Sequence, residues 1–127
     1  MNKKQLNIPK RGEIWLVEFP KNKENRKPQR PCLVISSDIQ NEYGKWIVVV
    51  GITTKDVENI APFEVFIKNT LETGLDEPSK ILCNYPHTIH KELRLVRYLG
   101  VASKEIMSRV KSALKITLNF DDRVGDN

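Results

Sequence analysis

The stretches RPCLVI at residues 30–35 and WIVVVGIT at residues 46–53 decide the fold of this chain. Both are short apolar runs that are rich in β-branched residues and bounded by polar or turn-forming residues. Runs of this length are typical of strands buried on both faces of a sheet, whereas an amphipathic helix needs an apolar repeat of about 3.6 residues. The pattern therefore predicts two buried strands, with Arg30 and Thr53 at strand ends, where functional sites usually form.

The segments around these two stretches extend the sheet. Residues 13–19 predict a first strand, in which Ile14 and Leu16 mark one face and Trp15 and Val17 the other. Residues 62–67 alternate apolar and polar side chains, which predicts a half-exposed strand. Residues 79–84 and 93–99 predict two further strands, and the proline-containing residues 85–88 between them predict a rigid turn. The sheet therefore has six predicted strands.

Two polar connections and one helix complete the predicted elements. A polar segment with a turn at residues 41–45 joins the two buried strands, and residues 54–61 form a loop. The one long helix begins at Ser103, a good N-cap residue. It carries a single apolar stripe at helical spacing, formed by Ile106, Val110, Ala113, Leu114 and Thr117.

Several antiparallel strands followed by a terminal helix describe an α+β domain. The predicted architecture is a small, strongly bent antiparallel sheet, close to a barrel, with the C-terminal helix packed on it. At 127 residues the chain has room for one core. We expect a flexible arm at residues 1–10, a single domain at residues 11–119 and an acidic tail at residues 120–127.

Hydropathy and cysteine content narrow the class of protein. No apolar run approaches the ~20 residues of a membrane-spanning helix, and no signal-peptide core follows the Lys-rich start, so we expect a cytoplasmic protein that does not enter a membrane. Cys32 and Cys83 lie in apolar segments and have no ligand partners at zinc-site spacing. We interpret both as small buried hydrophobic residues.

Positive charge is concentrated near the start of the chain. The formal net charge is +5, but residues 1–30 alone hold nine basic and three acidic residues. A basic cluster in a loop beside a strand-end arginine suits a polyanion, because phosphate contacts release counterions. Basic loops are also common as solubilising surface, so composition alone leaves nucleic-acid binding open.

Four short motifs, in this order, resemble the MazF/PemK toxin family. They are RGEIWLV at residues 11–17, Arg30-Pro31, Ile-Thr-Thr at residues 52–54 and Thr88-Ile89. The resemblance covers roughly residues 10–119 and implies the SH3-like barrel fold of CcdB and PemK toxins. It also implies a toxin ribonuclease that cuts single-stranded RNA without a metal or other cofactor.

The same resemblance implies the partners of the protein. The family forms homodimers, and a cognate antitoxin with an acidic, disordered tail holds the toxin in check. Operator DNA is contacted only through the complex with the antitoxin.

Metal-free RNA cleavage needs a base for the 2′-hydroxyl, positive charge at the phosphate and an acid for the departing 5′-oxygen. Arg30 suits the second role because its guanidinium stays charged and can hold two phosphate oxygens. The residues alone favour a surface arginine in an ion pair. The resemblance assigns Arg30 as catalytic and Thr53 as the residue that assists it, although a strand-end threonine often bonds only local backbone.

The general base is not evident from the sequence. Some relatives carry acidic residues where this chain has Asn84 and Asn25, and an asparagine does not accept a proton at neutral pH. His87 is the substitute that we predict as catalytic, because an imidazole titrates near pH 6.5. Its alternative role is a polar contact in the predicted turn. A further alternative is that Arg30 serves both binding and proton transfer.

Residues around these three are candidates for RNA binding. Tyr85 suits stacking on a base, and its alternative role is to cover the core. If the missing acidic residues abolish catalysis, the alternative function is a non-catalytic RNA-binding protein or a protein inhibitor similar to CcdB toxins. The complete set of predicted RNA-binding residues is Lys27, Gln29, Thr54, Asn84 and Tyr85.

Overall fold

The computed structural model describes residues 8–20 and 28–119. Most of the predicted arm and the whole acidic tail lie outside these residues, as does Lys27. Pro9 is fully buried, so the packed domain reaches at least two residues before the predicted boundary at residue 11. The elements in chain order are β1 (Glu13–Glu18), β2 (Gln29–Val34), α1 (Asp38–Tyr43), β3 (Trp46–Thr53), β4 (Glu64–Ile67), β5 (Ser79–His90), α2 (Lys91–Arg94), β6 (Leu95–Val101) and α3 (Lys104–Leu118).

The six strands form one antiparallel sheet in the order β4-β5-β3-β2-β1-β6. The two stretches that predicted buried strands are β2 and β3, which pair with each other at the centre. Side chains alternate across these strands, so their apolar runs supply a core on each face. The sheet is therefore organised around the two segments that the sequence identified.

The core on one face, which we call the helix-side core, includes the apolar stripe of α3. The predicted N-cap is confirmed, because Ser103 Oγ accepts a hydrogen bond from Ile106 N–H at 3.1 Å. The buried members of the helix-side core are Ile14, Leu33, Val50, Ile52, Val65, Ile67, Ile81, Cys83, Ala102, Val110, Ala113 and Leu114.

The core on the other face, which we call the opposite core, has no α3 residues. It contains Cys32, so both cysteines are buried, as expected. Its members are Trp15, Val17, Phe19, Cys32, Val34, Ile47, Val49, Ile89 and Leu95.

The sheet is strongly bent but not closed. Its edge strands, β4 and β6, do not pair within residues 8–20 and 28–119. The loop that follows β4 instead crosses β6, where Val101 N–H donates to the Glu72 carbonyl at 2.7 Å. The predicted fold, a strongly bent antiparallel sheet with a C-terminal helix, is confirmed, and a loop rather than a strand pair connects its edges.

Two predicted connections differ from the structure. The polar segment after β2 contains the short helix α1, which Ser37 begins by accepting a hydrogen bond from Gln40 N–H at 3.2 Å. Asn41 of this helix is fully buried and donates from Nδ2 to the Ser36 carbonyl at 3.0 Å. A helix held by a cap and a buried amide has no apolar repeat, so periodicity did not reveal it.

The prediction of a rigid turn at residues 85–88 is wrong. Strand β5 continues through it to His90, and Pro86 lies opposite Val50. The pairs Ile52↔Ile81 and Val50↔Pro86 enclose an irregularity in which two residue steps of β3 span five of β5. A proline is tolerated at such a bulge because the regular ladder of hydrogen bonds is already broken there.

Strand β6 begins at Leu95, two residues later than predicted. Residues 93 and 94 belong instead to α2. His90 is the N-cap of this helix, and its Nδ1 accepts hydrogen bonds from Glu92 N–H and Leu93 N–H. The described residues include no helix that is both long and apolar enough to cross a membrane.

Candidate active site

Arg30 is the second residue of β2 and lies on the face of the opposite core. Its guanidinium carbon is 4.8 Å from the centre of the Phe19 ring, within the distance of a cation–π contact. Its Nε is buried without a hydrogen-bond partner. No acidic residue within residues 8–20 and 28–119 forms a salt bridge with it. The positive charge therefore contacts an aromatic face, and none of the described carboxylates neutralises it.

His87 lies beside this pair. It is opposite Val49 of β3, and its ring centre is 5.1 Å from that of Phe19, at an interplanar angle of 61°. Burial, followed by the positive charge of Arg30, lowers the pKa of the imidazole below its usual 6.5. At neutral pH the side chain is therefore an uncharged imidazole that can accept a proton.

The contact between Phe19 and His87 depends on the bend of the sheet. Phe19 follows β1 and His87 lies in β5, and two strands separate β1 from β5 in the sheet. In a flat sheet, strands at this separation are about 14 Å apart. Sheet curvature therefore brings together side chains that are remote in strand order.

Thr53 is the last residue of β3. The β2–β3 pairing ends at Cys32↔Gly51, two residues from Arg30 on one strand and two from Thr53 on the other, so strand alternation directs both side chains to the same face of the sheet. Thr53 Oγ1 accepts a hydrogen bond from Lys55 N–H at 3.1 Å, which leaves its hydroxyl proton free to be donated elsewhere. Thr54 is exposed beyond the strand end.

The three predicted catalytic residues do not form one tight cluster. Arg30 and His87 both contact Phe19, whereas Arg30 and Thr53 share only a face of the sheet. His87 lies opposite Val49, which is four residues, or about 13 Å, along β3 from Thr53. The structure thus brings Arg30 and His87 together through Phe19 but does not bring Thr53 and His87 together.

The predicted RNA-binding residues are spread around this centre. Asn84 and Tyr85 lie in the β5 irregularity, where the Asn84 Oδ1 is buried without a hydrogen-bond partner and Tyr85 is 61% exposed. Gln29 is exposed and donates from Nε2 to Glu18 Oε1 at 3.2 Å. Strand alternation directs Gln29 to the sheet face opposite Arg30.

The family model of the PemK-like, MazF-like toxins of type II toxin–antitoxin systems matches residues 10–118. The chain belongs to this family. A curated relative is the endoribonuclease EndoA of Bacillus subtilis (strain 168), which is 31% identical over 116 residues. That match covers 91% of this chain and 98% of EndoA. The resemblance seen in the sequence is confirmed.

Solved structures confirm the MazF-like fold. MazF of Deinococcus radiodurans has a TM-score of 0.73 and 21% identity, covering 89% of this chain and 98% of that one. The Mycobacterium tuberculosis toxin MazF-mt6 has a TM-score of 0.71 and 21% identity over 86% and 98% of the two chains. A mycobacterial endoribonuclease in complex with its cognate antitoxin has a TM-score of 0.71 and 21% identity, covering 88% of this chain and 96% of that one.

Sequence reasoning missed Phe19 in this MazF-like toxin. The residue is 8% exposed and contacts both Arg30 and His87. Its only local signal is an apolar position at the end of an alternating strand, just before Pro20. The contacts themselves depend on the bent sheet, so no sequence pattern reports them.

A buried ion pair beside Thr53 was also missed. Lys80, opposite Thr53 in the register, donates from Nζ to Glu64 Oε1 and to the Asn59 carbonyl, each at 3.0 Å. Ala61 N–H donates to the same Glu64 oxygen at 2.9 Å. The pair therefore fastens the loop that begins after Thr53.

The described part of this MazF-like toxin contains no cluster of three or more His, Cys, Asp or Glu side chains that suits a metal ion. Cys32 lies directly after the Arg30-Pro31 pair, and burial raises the pKa of its thiol to about 12 even though the nearby Arg30 charge lowers it. Cys32 is thus a protonated, unreactive part of the opposite core.

Proposed function

We propose that this toxin is a metal-independent, sequence-selective endoribonuclease that cleaves single-stranded RNA, with messenger RNA as its target. The observation that carries the proposal is the Arg30 guanidinium, which is held on Phe19 with no described carboxylate to neutralise it. Family membership and the 31% identity to an endoribonuclease support the same activity.

In the proposed reaction the ribose 2′-oxygen attacks the adjacent phosphorus. A bond forms between the 2′-oxygen and phosphorus, the bond to the 5′-oxygen breaks, and the products carry a 2′,3′-cyclic phosphate and a 5′-hydroxyl. Arg30 stabilises the negative charge that builds on the phosphate oxygens. The Thr53 hydroxyl, on the same face of the sheet as Arg30, donates a further hydrogen bond to this phosphate.

His87 is the proposed general base. Its lowered pKa keeps the imidazole neutral, so that it accepts the 2′-hydroxyl proton at physiological pH. The departing 5′-oxygen takes up a proton from water. The uncharged Asn84 amide in the β5 irregularity cannot accept the 2′-hydroxyl proton.

The proposed RNA path follows the end of the sheet where β2 begins and β3 ends. Tyr85, exposed and next to the site, stacks on a base, and the neighbouring Asn84 amide reads its edge. Thr54 contacts the sugar–phosphate backbone. Gln29, on the other face of β2, and Lys27, just before this strand in the sequence, are further proposed RNA contacts.

The proposed partners follow from the family. The protein acts as a homodimer in the cytoplasm, where its RNA substrate occurs, and a cognate antitoxin with an acidic, disordered tail inhibits it. A toxin–antitoxin complex is seen for the mycobacterial relative, which supports the antitoxin as partner. Operator DNA is bound only through that complex.

The test is incubation of the purified chain with a long single-stranded RNA in EDTA, followed by mapping of product 5′ ends. Discrete cuts that vanish in Arg30→Ala and persist in Arg109→Ala support the proposal. Arg109 is a matched control because it is an exposed arginine on α3 that pairs with Glu105. RNA that is bound but never cut would instead indicate the non-catalytic alternative.

A further inference from the structure

Phe19 contacts two side chains at the centre of the site, the charged Arg30 and the titratable His87. Its ring lies 4.8 Å from the guanidinium carbon of Arg30 and 5.1 Å from the ring centre of His87. No other aromatic side chain in the described residues has a recorded contact with both groups. Among the described aromatic residues, Phe19 is therefore the one that connects Arg30 with His87.

The position of Phe19 is itself firmly fixed. The side chain is 8% exposed within the opposite core, and its backbone N–H donates to the Pro28 carbonyl at 2.6 Å. This hydrogen bond joins the two ends of the connection between β1 and β2, two residues before Arg30. A ring anchored by both packing and backbone is a rigid surface for a flexible arginine side chain.

An aromatic face orients an arginine differently from a carboxylate. A carboxylate would occupy guanidinium N–H donors and cancel the charge, whereas the ring attracts the cation through its quadrupole and leaves the charge and the terminal donors for a ligand. Arg30 lies over such a ring, at 4.8 Å from the Phe19 centre, and no described acid forms a salt bridge with it.

We propose that Phe19 is a positioning residue, which holds the Arg30 guanidinium toward the scissile phosphate and keeps it apart from His87. The role rests on the proposed ribonuclease function. It assigns Phe19 no contact with the reacting atoms. It acts on turnover through the orientation of Arg30, so kcat should change more than substrate affinity does.

The test compares three variants of the full chain. Phe19→Leu keeps an apolar side chain but removes the π-face, and Phe19→Tyr restores it. Tyr98→Leu is the matched control, because it removes another ring that packs edge-on against the same core, at 5.9 Å from Trp15. Cleavage rates at saturating RNA, KM and thermal midpoints are measured for each.

The expected result is a fall in kcat of about tenfold for Phe19→Leu, with KM changed less than about threefold. Phe19→Tyr should restore most of the rate, and Tyr98→Leu should cleave as the unmodified chain does. A folded Phe19→Leu variant with unchanged kcat would overturn the positioning role. So would a Phe19→Tyr variant as slow as Phe19→Leu.

A second readout needs no activity. A proton over an aromatic face is shielded, so the side-chain protons of Arg30 should resonate upfield in the NMR spectrum and return toward ordinary positions in Phe19→Leu. A spectrum that does not respond to the substitution would refute the contact and with it the role. If the unmodified chain shows the shielding but cuts no RNA, the proposed function fails and the role in turnover falls with it, while the contact stands.

Discussion

Lys80 Nζ lies 3.0 Å from the Glu64 carboxylate, and this pair holds the loop that leaves the site after Thr53. The two side chains are only 8% and 12% exposed. They bind the loop backbone at Asn59 and Ala61. The loop beside the proposed catalytic threonine is therefore fixed by a buried ion pair on the two strands next to it.

Glu64→Gln should destabilise the fold by about 3 kcal/mol, because it leaves the Lys80 ammonium buried without its counter-charge. Urea unfolding monitored by circular dichroism measures the change. Glu105→Gln is the control, since the Arg109–Glu105 pair is exposed and should contribute less than about 0.5 kcal/mol. Equal effects of the two substitutions would contradict the structural role of the buried pair.

The stabilisation from Glu64 should depend on pH. Burial raises the pKa of this carboxyl, but hydrogen bonds from Ala61 and Lys80 and the charge of Lys80 outweigh burial and leave the pKa below its usual 4.5. A depressed folded-state pKa gives stability that is present above pH ~4.5 and is lost as pH falls through the folded value. The difference in unfolding free energy between the unmodified chain and Glu64→Gln should therefore shrink in acid.

Thr53→Val should lower the RNA cleavage rate by about 100-fold, because it removes the proposed hydrogen-bond donor on the Arg30 face of the sheet and keeps the strand-forming shape. Thr54→Val should lower the rate less than about fivefold, since Thr54 is exposed beyond the strand. Single-turnover cleavage at saturating RNA measures both. The reverse ranking would exchange the roles assigned to the two threonines.

The cleavage rate should rise with pH and level off below neutrality if His87 is the general base. The base must be deprotonated, and burial together with the Arg30 charge lowers its pKa below 6.5, so the rate should fall only in more acidic solution. His87→Gln should be slow at every pH and lack this limb. A His87→Gln chain with the same acid limb would assign the titration to another group.

Folding stability should respond to His87 in the same direction. Because its pKa is lower in the folded state than in the unfolded chain, the unfolded state binds the proton more readily. The unmodified chain should lose stability as pH falls from about 6.5 through the folded pKa, and His87→Gln should lose less. Thermal midpoints across this range measure the difference.

The central strands were predictable because their signal is local. The bounds of β3, Trp46–Thr53, coincide with the apolar run that predicted it. The continuation of β5 through residues 85–88 was not predictable, because Pro86 is accommodated by an irregularity that only the pairing with β3 defines. The position of Phe19 against Arg30 depends on curvature across several strands, and no local periodicity encodes such curvature.

Gly100→Ala should destabilise the fold strongly, because the bent sheet depends on a close crossing at this residue. A Cβ on Gly100 would lie 2.2 Å from the Glu72 carbonyl oxygen in the loop that bridges the sheet edges. On the other side of the crossing, a Cβ on Gly74 would lie 1.9 Å from the Leu99 carbonyl oxygen, and Gly74 also has a φ of +69°. Neither contact can be relieved by a side-chain rotation, because the obstructing atoms are backbone.

Gly100→Ala and Gly74→Ala should therefore each cost more than about 2 kcal/mol in the free energy of unfolding. Gly51→Ala is the matched control within the same sheet, because a Cβ there meets no atom within 4 Å. It should be neutral or slightly stabilising, since alanine loses less backbone entropy on folding. If Gly100→Ala unfolded at the same urea concentration as Gly51→Ala, the loop would not be what holds the edges of this sheet together.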